Sequence, residues 1–123
     1  MPLSDTELNR ITDYIVASDF TIRIHDGNPG DDGTANRIGS IERTLTAGKW
    51  SAASNGDVRY EDAVAFGNLT ADPEVSGEVI VRWYSLWRGN FIIREAFSAP
   101  VTVAANTGFS IAINTISING SSS

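Results

Sequence analysis

Phe20–His25 alternates apolar and polar residues with a period of two, while the stretch from Glu78 to Phe97, around which the chain is organised, carries large apolar residues at both parities. That period marks strands with two distinct faces. Gly89-Asn90 divides the stretch into two predicted strands, Glu78–Trp87 and Phe91–Phe97, with glycine at the first central position of a two-residue type II′ turn. The turn sets a register in which Arg88 faces Phe91, Leu86 faces Ile93, Tyr84 faces Glu95 and Arg82 faces Phe97. Val79, Val81, Trp83, Ser85 and Trp87 share the other face with Ile92, Arg94 and Ala96. Large apolar groups on both faces predict a hairpin covered on two sides, by the core on one and by a partner on the other.

The helical period of 3.6 shows once, near the start. Ser4-Asp5-Thr6-Glu7 has the spacing of a capping box, in which Ser4 accepts from the Glu7 amide and Glu7 reaches back. Leu8, Ile11 and Ile15 follow on one face, so a helix is predicted over about residues 4–17, with Leu3 stapled onto Leu8. Strands are predicted at Phe20–His25, Ile38–Thr46, Val58–Tyr60, Val64–Leu69 and Val101–Val103, with a short edge strand or loop at Trp50–Ser54. Asn55-Gly56 reads as a turn and Pro100 as a bend. Phe109, Ile111 and Ile113 fall out of phase with Ile116 and Ile118, so Asn114-Thr115 is a bulge or the point where the chain crosses between sheets. Seven or eight short strands and one short N-terminal α-helix predict a mainly β fold, a β-sandwich or jelly-roll. The 123 residues suit a single domain, with a polar tail at 120–123.

Charge and composition narrow the function. Nine basic and fifteen acidic side chains leave a net charge of −6, and Lys49 is the only lysine. Nucleic acid is therefore not an expected partner, since a phosphate backbone calls for clustered Lys and Arg. Without cysteine there is neither a disulfide nor a thiolate-bound metal. No membrane span and no secretory signal are expected, because no window approaches about 20 apolar residues and no basic region precedes an apolar run.

The motifs that carry chemistry are few. Asp26, Asn28, Asp31 and Asp32 offer oxygens to calcium, but without EF-hand spacing, so a solvated turn is the expectation. His25, the single histidine, has no serine on a nucleophile elbow to serve. Glu95 is expected to pair with Arg82 across the hairpin, and Arg94, flanked by Trp83 and Trp87, to pack as a cation over an aromatic ring. Trp83, Tyr84, Trp87, Phe91 and Arg94 are the candidate interface or packing residues, and Trp83, Tyr84 and Trp87 are also the candidates for a sugar platform. No phosphate loop, dinucleotide fingerprint or zinc spacing is present, so neither catalysis nor a cofactor is expected.

Met1-Pro2-Leu3-Ser4 with its helix, the His25-Asp26-Gly27-Asn28-Pro29-Gly30 loop, Ala35-Asn36-Arg37-Ile38-Gly39, the strand around Arg43 and Trp50-Ser51-Ala52-Ala53-Ser54-Asn55-Gly56 occur here in a recognisable order. The aromatic strand Val81–Trp87, the following Gly89-Asn90 and the Ala99-Pro100 bend complete it. In these segments the chain resembles a family of small tailed-bacteriophage virion proteins, known as tail-fibre-like or minor structural proteins. The resemblance implies a non-enzymatic virion component, assembled in the host cytoplasm. The absence of a heptad stem or collagen-like run favours a capsid decoration or minor capsid protein that stabilises the outer surface of the head. Its partners are then the major capsid protein and further copies of itself, as a homo-oligomer such as a trimer. The alternative is a tail-fibre or minor tail protein, in contact with other tail proteins or a host surface glycan.

Overall fold

The computed structural model describes residues 4–52, 57–113 and 115–119. Among these, one helix, α1 (Asp5–Ile15), precedes eight strands: β1 (Phe20–His25), β2 (Arg37–Leu45), β3 (Asp57–Arg59), β4 (Val64–Asn68), β5 (Val79–Arg88), β6 (Asn90–Val103), β7 (Gly108–Ile111) and β8 (Ser117–Asn119). The fold is mainly β, as the alternation predicts. By internal contacts it divides into two compact units, one of Met1–Asp19, Leu45–Val64 and Ile111–Ser123, the other of Phe20–Thr44 and Ala65–Ser110.

In the first unit, Ser4 caps α1 by accepting from the Glu7 amide at 3.3 Å, which supplies half of the capping box. The Glu7 carboxylate turns instead to Arg10 at 2.7 Å. The buried row of the helix is Leu8, Thr12 and Val16, while Ile11 and Tyr14 are exposed. Apolar spacing alone favours Ile11, but the Thr12 hydroxyl donates to the Leu8 carbonyl at 2.6 Å, and so enters the core with its polar atom satisfied. β3 pairs antiparallel with β8, Val58 opposite Ile118. Trp50 forms a lone bridge to Tyr60 and meets its ring edge-on at 5.2 Å. The Leu3 staple and the Asn55-Gly56 turn lie outside the described residues.

The second unit holds a four-stranded sheet in the order β2-β1-β5-β6, together with the pair β4-β7. Phe20, Ile22 and Ile24 of β1 and Tyr84 and Leu86 of β5 form one buried face. Tyr84 packs on Phe97 at 5.3 Å, Phe97 on Phe109 at 6.5 Å and Phe109 on Phe66 at 5.6 Å, so rings from both sheets meet in one core. The predicted hairpin register holds from Trp83↔Ala96 to Leu86↔Ile93 and then shifts by one residue, giving Trp87↔Phe91 and Arg88↔Asn90. Ile92 is the extra residue, and Gly89 takes φ +77° at the tip. A second shift falls between Val81↔Val101 and Trp83↔Ala96. It takes in Pro100, which has no N–H to give the ladder, and it removes Arg82 from its expected place opposite Phe97. Val101–Val103 is therefore the end of β6 and not a separate strand.

The out-of-phase final stretch crosses between sheets as expected: β7 pairs with β4 and β8 with β3. Asn114, at the expected crossing, is outside the described residues.

Candidate functional site

Antiparallel pairing of β1 with β5 sets His25 opposite Trp83, Arg23 opposite Ser85 and Thr21 opposite Trp87. All six side chains share the sheet face turned away from the Tyr84 core, and Arg94 joins them from β6 opposite Ser85. Alternation within a strand thus gathers one histidine, one serine, two tryptophans and two arginines on a single surface.

His25 and Ser85 are fully buried at its centre. His25 Nδ1 lies 2.8 Å from the Ala35 carbonyl, which can only accept, so Nδ1 carries the hydrogen. Nε2 then accepts from the Ser85 hydroxyl at 2.7 Å, and the Ser85 oxygen accepts from Trp87 Nε1–H at 2.9 Å. Every polar atom of this chain has a partner while the imidazole is neutral. Burial lowers the His25 pKa from its ordinary value; the neighbouring positive charges of Arg37 and Arg23 push the same way, against the Ala35 hydrogen bond and Asp26. The Ser–His contact has the length of a nucleophile–base pair, but backbone stands in the orienting position and no open space adjoins the hydroxyl. It acts as a lock holding the 26–36 loop to the sheet.

Trp87 is enclosed on several sides. The Arg23 guanidinium sits 4.3 Å from its ring centroid, and Phe91 packs at 5.4 Å. Arg23 and Arg37 converge on the same Glu42 oxygen at 3.4 and 3.1 Å. Arg23 therefore takes the cation–π position expected of Arg94. Arg94 instead pairs with the exposed Asp31 at 3.2 Å. Tyr84 points to the opposite face and is 2% exposed, so Trp83, Tyr84 and Trp87 do not form one sugar platform. Trp83 remains half-buried on the near face. Phe91 presses on the loop so closely that a Cβ on Gly33 would lie 2.4 Å from its ring. Glu95 stands opposite Tyr84, and no ion pair joins it to Arg82.

Asp32 and Asn28 serve the turn itself, whereas Asp31 reaches Arg94. Asp32 Oδ1 accepts from the Thr34 amide and hydroxyl at 3.1 and 2.8 Å, which lowers its pKa, and Asn28 Oδ1 accepts from the Gly30 amide at 2.9 Å. Beside the loop, Asp26, Arg37, Glu74 and Glu78 line an open cleft of about 260 Å³. Among the described residues no group of histidine or carboxylate side chains is arranged to hold a metal. The role of Arg23 was accessible only through the β1–β5 pairing, because nothing local to Phe20–His25 marks it.

The site is thus a buried Ser85–His25 pair beside the half-buried Trp83 and Trp87. The chain belongs to the family described as Podophage GP4 fiber I protein gp80, which matches residues 6–119, and it is thus a tailed-phage virion structural protein. No curated protein matches it.

Proposed function

We propose that this protein is a non-catalytic component of a podophage tail fibre, a mainly β protein attached to or capping the fibre. The observation that carries this reading is the match of residues 6–119 to a family described by its fibre protein. These 123 residues carry neither heptads nor a collagen-like repeat, which fits a terminal or adaptor unit as well as it fits the head surface. The buried Ser85–His25 pair supports a structural role, since neither atom is open to a substrate.

Fractionation of virions into tails and tailless heads tests the assignment. The protein is expected to follow the tail fraction in few copies per particle. Hundreds of copies on tailless heads would replace the fibre reading with that of a capsid decoration bound to the major capsid protein.

A further inference from the structure

The four-stranded sheet has two edges, and the chain treats them differently. At the β2 edge the Ser40 amide donates to Asp72 Oδ2 at 3.3 Å and the Ser40 hydroxyl to Glu74 Oε2 at 2.6 Å. Arg43 donates to the Ala65 and Phe66 carbonyls at 3.0 and 2.7 Å, and a Cβ on Gly39 would come within 2.9 Å of Val75. That edge is covered. At the β6 edge no strand pairs with the outer side, and no turn or loop backbone hydrogen bond reaches it among the described residues. Nine of the fourteen β6 residues are exposed, Ile92 and Val101 among them, so this bare edge is also an apolar one.

Edge strands are normally protected by charge, proline or bulges. Pro100 and its register shift protect the far end of β6. From Phe91 to Ala96 the charges are Arg94 and Glu95, which cancel each other. In a chain of net charge −6, β6 carries no net charge, and two copies meet there with the least repulsion.

We propose that β6 pairs antiparallel with β6 of a second copy of this chain, joining two four-stranded sheets into one. Because residues 72–75 already occupy the β2 edge around Gly39 and Ser40, that edge is the poorer one for extending the sheet head to tail. The open edge then meets itself, which is an isologous two-fold contact that closes at the dimer. A two-fold axis normal to the sheet keeps each face on its own side. Centred on Ile93 or Ala96, the pairing avoids setting Arg94 or Glu95 against its own copy.

Sedimentation equilibrium of the full chain across about 1 to 100 μM tests this, with Ile92→Lys and Ala96→Lys as edge variants. Both positions are exposed, so unchanged circular dichroism melts are expected to show that the variants fold. The expected result is a wild-type dimer with at least tenfold weaker association in each lysine variant. A monomer throughout, a trimer, or a dimer indifferent to both lysines would overturn the proposal. A wild-type monomer that gains β6 amide protection only with another virion protein would also overturn it, in favour of a foreign strand.

Discussion

β5 and β6 are the two arms of one hairpin, both rich in apolar residues, and they occupy opposite environments. β5 lies between β1 and β6, and its consecutive residues Tyr84, Ser85 and Leu86 are each no more than 2% exposed, so both faces of the strand are covered there. β6 has a neighbour on one side, and in it Val103 alone is buried. Burial in this sheet follows from position in the strand order more than from side-chain character. β5 is packed on both faces, and β6 is left largely exposed at the edge of the sheet.

Substitutions should separate these environments. Tyr84→Ala removes a ring packed against Phe97 and is expected to cost about 3–5 kcal/mol, read from urea midpoints. That is a large part of the stability of a small domain. Ser85→Ala leaves Trp87 Nε1–H and His25 Nε2 without partners, for about 1–3 kcal/mol in the same measurement.

The His25 network adds a pH test. Its folded pKa is lowered, so the unfolded chain binds the proton more readily. Stability is fully present above the unfolded value of about 6.5 and falls as the pH drops below it. Melting temperatures at pH 7.5 and pH 5 should differ in the wild type, and this step should disappear in His25→Gln.

Gly33→Ala probes a place where the 26–36 loop packs on β6. At φ +76° and against Phe91, it is expected to cost about 1–3 kcal/mol. Ile92→Lys, on the open strand, should change stability by less than about 0.5 kcal/mol.

The residues that announced this architecture did so through local rules. Phe20–His25 was legible end to end because its alternation is unbroken, and the predicted hairpin register holds from Leu86↔Ile93 to Trp83↔Ala96, beyond the shift next to Gly89. The hairpin departs from the predicted register twice, at the extra Ile92 near the tip and at the bulge that takes in Pro100, which has no N–H for the ladder. Ser4 announced the helix, but Thr12 entered its core through a backbone hydrogen bond that a hydrophobic pattern does not register. Trp83, Trp87 and Arg94 were correctly set on one face by parity. That Trp87 would be covered by Arg23, and Arg94 drawn to Asp31, depended on the β1 pairing and on the path of the 26–36 loop. The same limit explains why the two arms looked equivalent in the sequence, since strand order is not written in the period of either.

Amide hydrogen exchange on the full chain, at a dilute and a concentrated condition, tests the contrast between the arms most directly. β5 amides should exchange slowly at both concentrations, while those β6 amides between Phe91 and Ala96 that point away from β5 should gain protection only in the concentrated sample. Equal protection of these outward amides at both concentrations, or fast exchange at both, would contradict the assignment of β6 as the open edge through which copies of this protein join.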